Sequence, residues 1–366
     1  MALQITWLAL LGLMLGGYFV LGGYDYGVQA LRPFLARGEE DRGAALGALG
    51  PFFLGNEVWL VAFAGVLFGA FPHLEARLLP GMYPLVAVLL VALVLGNAAV
   101  QLRGRARTAA GRRRADALIT LGGVGPAVVW GLLVGLLLRG LPLRADGSFR
   151  LGAAELLDPL VPLCGVAVAL LFLAHGAVFL ALRSTDGLAV RAGSAARSLL
   201  GWAAGAALLA LGAGLLGPGR AVANPGTAVA LALLVPVALL VARRLLGGGR
   251  PGRAFAATAL AALLPVVLVG AGQYPYVLAA HRHGPGAPAG LTVGRAAADT
   301  GTLELLLAVG VLLVPVVLGY QAWSWWAFRG RVDPRVPGWF APGPGAPGPR
   351  GGSRRPDGSE RVSRSR

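Results

Sequence analysis

Long apolar stretches alternate with short polar connections along most of this chain. Each apolar stretch holds about 20 or more residues with few charges, which is the length that a membrane-spanning helix needs. Membrane strands would be only about 9 to 11 residues long and would alternate in polarity. The pattern therefore predicts nine membrane-spanning helices, at residues 3–31, 44–71, 80–102, 117–138, 159–182, 198–217, 226–246, 255–280 and 303–328.

Composition supports the same class. Hydrophobic residues make up 56% of the 366 residues, charged residues only 13%, and the mean hydropathy is +0.71. Soluble globular proteins carry about 25% charged residues. The single cysteine, Cys164, excludes an intramolecular disulfide. We therefore expect an all-α integral membrane protein.

The distribution of arginine predicts the orientation in the membrane. All 32 basic residues are arginine, and the connections after helices one, three, five and seven, counted with the adjoining helix ends, hold three, six, three and four of them. Those after helices two, four, six and eight hold one, three, one and two. Because the arginine-rich side is cytoplasmic, the N-terminus is expected outside and the C-terminus inside. Membrane lipid headgroups then account for the net charge of +16, and no nucleic-acid partner is expected.

The composition changes near the C-terminus, which divides the chain into two parts. Residues 333–366 are rich in Pro, Gly, Ser and Arg and hold too few apolar groups to offset the entropy of ordering. We expect residues 1–332 to form the membrane domain and 333–366 to be a disordered cytoplasmic tail.

Two acids lie inside predicted membrane helices. Glu57 follows Asn56 and precedes Trp59 in the second helix, and Asp25 lies one to two turns before the cytoplasmic end of the first. An acid near the middle of a membrane helix costs roughly 2.5 to 3.5 kcal/mol on insertion scales, so it is expected to face protein or water and to have a partner. The two acids are candidates for one proton-uptake track. The alternatives are that Asp25 is a solvated helix-end acid and that Glu57 makes a structural hydrogen bond to another helix.

The histidines and the aromatic residues of the last helix have simpler interpretations. His175 lies within the fifth helix, where a hydrogen bond to a neighbouring helix is favoured over haem ligation. His73, His281 and His283 are expected to be solvated loop residues, and no Cys/His spacing indicates a metal site. The end of the last helix predicts an interfacial aromatic belt, made of Tyr320, Trp323, Trp325, Trp326 and Phe328.

Four separated segments share a further pattern. They are G-Y-D-Y-G-V at 23–28, G-N-E-V-W-L at 55–60, H-G-A-V-F-L-A-L-R-S-T at 175–185 and P-V-V-L-G-Y-Q-A-W-S-W-W-A-F-R-G-R-V at 315–332, with a weaker Y-P-Y-V at 274–277. In this order, with nine helices, they resemble subunit II of the cytochrome bd-type quinol oxidases over about residues 1–332. Each motif is weak alone, but the ordered set is specific.

The resemblance implies both an architecture and a role. The fold would be two four-helix bundles plus one peripheral helix, without haem in this chain. The partner would be subunit I, which carries haems b and d, and the heterodimer would oxidise quinol and reduce oxygen to water in the bacterial cell membrane. This chain would support subunit I, bind a structural quinone and contribute acids to proton uptake. The residues implied for the proton path or the subunit interface are Asp25, Asn56, Glu57, Trp59, Arg103 and His175.

The chain also departs from the family pattern. Gly22 and Leu54 stand where acids are usual; after helix three, Gly96 replaces an arginine and Gln101 an acid, and only Arg103 remains. These departures predict an altered or absent proton route through this subunit. Two alternatives therefore remain: a secondary transporter whose intramembrane acids bind a coupling ion, and a divergent paralogue without a redox partner.

Overall fold

The structure, a computed structural model, describes residues 1–217, 222–281 and 289–332. Within these ranges nine helices are long and apolar enough to cross a membrane, which confirms the predicted number and the all-α class. Three shorter helices lie between them. In chain order the helices are α1 (Ala2–Leu35), α2 (Glu39–Ala70), α3 (Pro72–Gly81), α4 (Tyr83–Leu102), α5 (Ala109–Arg139), α6 (Ala153–Leu156), α7 (Leu160–Arg183), α8 (Asp186–Leu216), α9 (Pro225–Gly247), α10 (Pro251–Gln273), α11 (Val293–Ala296) and α12 (Thr300–Ala327).

Several helices begin earlier than the apolar pattern predicts. Helix α8 begins at Asp186, twelve residues before the predicted start at 198, and α2 begins at Glu39 rather than at 44. The first turns of these helices carry acids, which interact favourably with the positive end of the helix dipole. Hydropathy detects only the apolar part of such a helix, so the polar first turns were missed.

The eighth predicted helix, 255–280, is wrong at its C-terminal end. Helix α10 ends at Gln273, and residues Tyr276–Ala279 form strand β1, which pairs antiparallel with strand β2 (Gly290–Thr292). Pro275 explains the break, because proline lacks an amide hydrogen and disfavours the helical conformation of the residue before it.

Two of the histidines that were predicted to be solvated loop residues differ in their exposure. His73 is exposed on α3. His281 is only 9% exposed, because its main chain pairs with Leu141 and its Nδ1 lies 3.2 Å from the carbonyl oxygen of Arg139. The prediction of a solvated His281 was therefore wrong, and His283 lies outside the described residues.

Helix α1 lies at the centre of the helix packing. It contacts α2, α5, α7 and α10, while α7 packs on α8, α8 on α9, α9 on α10 and α10 back on α7. Helix α12 packs mainly on α2 and keeps most of its apolar side chains exposed, as a lipid-facing helix does. Side chains on α1 are thus positioned to connect the other helices.

Glycines permit a close backbone contact between α1 and α7. A Cβ atom at Gly27 would overlap the carbonyl oxygen of Phe172, and one at Gly176 would lie 2.6 Å from the Cα of Gly27. Membrane helices approach this closely where small residues meet. We expect Gly27→Ala to lower the stability of the folded chain by about 1–3 kcal/mol, measured as thermal unfolding in detergent.

The matched control is Gly201→Ala on α8, where a Cβ atom would meet nothing within 4 Å. This variant should keep or slightly raise stability, because alanine favours a helix over glycine. Equal melting temperatures for the two variants would contradict the proposed close contact.

Candidate functional site

Asn56 is the centre of a buried polar network. Its side chain is fully buried, and its Nδ2 donates to the Tyr24 hydroxyl at 2.7 Å and to Asp25 Oδ2 at 2.9 Å. The amide oxygen accepts a hydrogen bond of 3.3 Å from Gln321 on α12. One side chain of α2 therefore connects α1 and α12. In the sequence Asn56 was a candidate because it precedes an acid and belongs to the G-N-E-V-W-L motif.

Asp25 lies deeper than predicted. Since α1 continues to Leu35, Asp25 is ten residues, or about 15 Å, before its end, rather than one to two turns. It is 1% exposed, and only one of its oxygens has a hydrogen-bond partner among the described residues. The alternative that Asp25 is a solvated helix-end acid was wrong.

Glu57 points toward a different helix from its neighbour. It is half-buried, and its Oε1 accepts a hydrogen bond of 3.1 Å from Asn97 on α4. A hydrogen bond to another helix was one of the two interpretations of this acid. Asp25 is held by Asn56, and Glu57 is the next residue of α2. The two acids are thus linked through adjacent residues of α2 and face different helices.

Trp59 and His175 both lie in tight packing. The ring of Trp59 fills the space beside Gly17, so it holds α1 against α2. Both ring nitrogens of His175 have protein partners, Nδ1 with the Thr258 hydroxyl at 2.7 Å and Nε2 with the carbonyl oxygen of Val20 at 3.0 Å. A metal bond at His175 would require one of these two hydrogen bonds to break.

An aromatic cluster next to Asn56 was not predicted from the sequence. Tyr24 stacks on Phe179 with ring centroids 4.3 Å apart, and Phe52 stacks on Trp325 at 4.8 Å. Arg183 lies over the ring of Phe52 at 5.3 Å and donates to the carbonyl oxygen of Phe328. Trp325 was assigned to an interfacial belt, but the residues of that belt with the greatest exposure are Tyr320, Trp323 and Trp326. Aromatic spacing alone does not show which ring of α12 faces inward.

Arg103 belongs to an ionic cluster at the end of the bundle where α1 ends and α5 begins. Its Nε lies 2.5 Å from Asp116 Oδ1, and its Nη2 lies 2.9 Å from Glu39 Oε2. Asp116 also pairs with Arg32 at 2.6 Å and with Arg42 at 3.2 Å. Of this cluster only Arg103 was singled out from the sequence, because the other four members come from three separate helices, α1, α2 and α5.

The positions that depart from the family pattern have structural explanations. A Cβ atom at Gly22 would lie 2.9 Å from the ring of Tyr18, and one at Gly96 would lie 2.5 Å from Gly122 on α5. A larger side chain at either position therefore needs different packing. Leu54 is 63% exposed on the outer surface of α2, so its change leaves the interior unaltered.

These features define a multi-pass, mainly helical membrane protein with a buried acid–amide network around its central helix. A sequence model described as cytochrome bd terminal oxidase subunit II matches residues 3–328. The chain belongs to the cytochrome bd terminal oxidase subunit II family. Its helices and relatives identify it as a protein of the bacterial cytoplasmic membrane.

Individual relatives match nearly the full length. The chain is 29% identical over 336 residues to cytochrome bd ubiquinol oxidase subunit 2 of Bacillus subtilis (strain 168), which covers 92% of this chain and 98% of the relative. It is 26% identical over 366 residues to cytochrome bd-I ubiquinol oxidase subunit 2 of Escherichia coli (strain K12), covering 90% and 95%. Its fold is similar to a chain of the bd oxidase from Geobacillus thermodenitrificans, with a TM-score of 0.68 at 19% identity, covering 89% of this chain and 99% of that chain.

Proposed function

We propose that this chain is the haem-free subunit II of a cytochrome bd-type quinol oxidase. It supports a haem-bearing subunit I while the complex oxidises quinol and reduces oxygen to water in aerobic respiration. The observation that carries the proposal is the family match over residues 3–328, together with relatives named as subunit 2 that are covered almost completely.

The acids of this chain contribute to proton uptake in the proposed function. Asp25 is buried at the central helix, keeps one oxygen without a protein partner among the described residues, and is held by Asn56. Carboxylates and water inside membrane proteins form proton relays. Glu57 and the Tyr18–Tyr26 pair extend the polar region toward α4.

The proposed orientation of the chain in the membrane rests on the positions of the ionic cluster and of the arginine-rich connections. The ionic cluster around Asp116 lies at the end where α1 ends and α5 begins, and this end is cytoplasmic because it holds the arginine-rich connections. The N-terminus is then outside. Residues 1–332 form the membrane domain; residues 333–366, proposed as a cytoplasmic tail, lie outside the described residues.

The expected cofactors are divided between the subunits. Haems b and d belong to the partner. A structural quinone fits this chain in part: a cavity of about 420 Å³ lies among α5, α7, α8, α9 and α10, lined by apolar residues and Cys164. Such a lining suits an isoprenoid chain. The described lining holds no Asn, Gln, Ser, Thr or charged residue that would bind a quinone carbonyl group, so the head group would extend beyond it.

Mild-detergent purification through this chain tests the proposal. We expect a partner subunit to co-purify and the reduced-minus-oxidised visible spectrum to show b- and d-type haem bands. The same preparation should consume oxygen when quinol is added. A pure single chain without haem bands would contradict the proposal and favour a transporter or a paralogue without a redox partner.

A further inference from the structure

Three buried polar side chains follow one another along a single face of α1. Asp25, Gln29 and Arg32 are spaced by four and three residues, which places them on the same face of a helix. Each is 1% exposed. With a rise of about 1.5 Å per residue, they span about 10 Å along the helix axis. The row connects the Asn56 network to the ionic cluster at the end of α1.

These side chains share an unusual lack of protein partners. Asp25 Oδ1, both polar atoms of Gln29, and Arg32 Nε and Nη1 are buried and have no hydrogen-bond partner among the described residues. Buried polar atoms in native proteins are nearly always paired, and where protein groups do not serve, ordered water does. Five such atoms on one helix face therefore indicate water beside α1.

Gln29 lies against a close contact between α4 and α5. A Cβ atom at Gly96 would lie 2.5 Å from the Cα of Gly122, and Gln29 Oε1 lies 3.5 Å and 3.3 Å from the Cβ positions that these two glycines lack. The amide oxygen of Gln29 thus faces two glycines, which offer it no side-chain partner.

We propose that Asp25, Gln29 and Arg32 hold a column of water molecules, and that Gln29 is a positioning residue in its middle. This inference rests on the proposed function, because the column would carry protons from the cytoplasmic end to Asp25. Each water releases one proton to the next as it receives one, and Asp25 takes up the last, so the column itself is unchanged after each transfer.

The charge of Arg32 is partly compensated at the entrance. Its Nη2 lies 2.6 Å from Asp116 Oδ1, a carboxylate that it shares with Arg42 and Arg103, so a proton at the first water meets an ionic cluster in place of an isolated cation. The two remaining nitrogen atoms of Arg32, Nε and Nη1, donate hydrogen bonds and accept none. A water beside either nitrogen therefore turns its oxygen atom toward the guanidinium.

The test replaces Gln29 by leucine in the purified oxidase complex. Gln29→Leu removes both polar atoms at nearly constant size. We expect turnover to fall about tenfold and the solvent deuterium isotope effect to rise, because proton delivery becomes rate-limiting, while the haem spectrum stays unchanged. Gln29→Asn, which keeps an amide and leaves room for a further water, should recover most of the turnover.

The matched control is Gln273→Leu. Gln273 is also buried, but it lies at the far end of α10, where its Nε2 donates to the carbonyl oxygen of Leu137 at 2.7 Å. Its loss should leave the isotope effect unchanged. If Gln29→Leu turns over with the wild-type rate and isotope effect, or loses rate and thermal stability with an unchanged isotope effect, the water column is wrong.

Asp25→Asn separates this failure from failure of the proposed function. If Asp25→Asn slows the oxidase while Gln29→Leu leaves it unaffected, protons reach Asp25 by another path and only the column is refuted. If neither variant changes turnover, both the column and the proton role of this chain are refuted. Purification without an oxidase partner overturns the inference together with the proposed function.

Discussion

Replacing Asp25 by asparagine is expected to slow quinol oxidation by the purified complex at least about tenfold, with unchanged yield and haem content. Asparagine has the same shape, and its side-chain oxygen still accepts the bond that Asn56 donates at 2.9 Å. It cannot carry a proton at neutral pH, and proton transfer by a positioned side chain is worth about 10²–10⁴-fold in rate. Oxygen consumption with saturating quinol measures the effect.

Two further variants decide what an Asp25 effect means. Asp146→Asn changes an exposed acid in the connection after α5, whose hydrogen bonds among the described residues come from Ser148 alone, so its turnover should match the wild type. Glu57→Gln keeps the bond with Asn97 and should slow the enzyme less than Asp25→Asn. An Asp25→Asn enzyme with the wild-type rate would refute a proton role for this residue.

The helices could be predicted from the sequence because hydrophobicity and length are local properties. The nine spanning segments match the number found in the described part of the chain. The largest boundary errors were at polar first turns such as that of α8, which begins at Asp186. The strand at Tyr276–Ala279 was missed because its apolar residues continue the hydrophobic run of α10. A short apolar run does not distinguish strand from helix; Pro275 was the available signal.

The candidate site could be predicted only in part. Asp25 and Glu57 were found because an acid in an apolar run is costly wherever it lies. Gln29 and Arg32 gave no such signal, since Gln29 lies near the expected helix end and Arg32 follows that end, where loop arginines are common. Their burial depends on the extension of α1 to Leu35 and on the helices packed around it. Long-range partners such as Gln321, 265 positions from Asn56, are not readable from one sequence.

Replacing Asp116 by alanine is expected to destabilise the folded chain by about 3–5 kcal/mol, the range found when one partner of a buried ion pair is removed. Asp116 is the only described acid that pairs with Arg32, a cation that is 1% exposed. Without it, Arg32 would be left as a buried charge, and Arg42 and Arg103 would lose a shared partner. Thermal unfolding of the purified complex in detergent measures the loss.

Glu39→Ala is the matched control because Glu39 belongs to the same cluster but is largely exposed. Its side chain is 59% exposed and pairs with Arg103 and Arg42, and exposed pairs contribute only about 0–1 kcal/mol. If Glu39→Ala loses this little, the stability of the cluster depends on the acid that pairs with the buried Arg32 rather than on the number of ion pairs. The difference between the melting temperatures of the two variants measures how far the stability of this end of the bundle depends on Asp116. Equal loss of stability in the two variants would show that another group compensates the charge of Arg32.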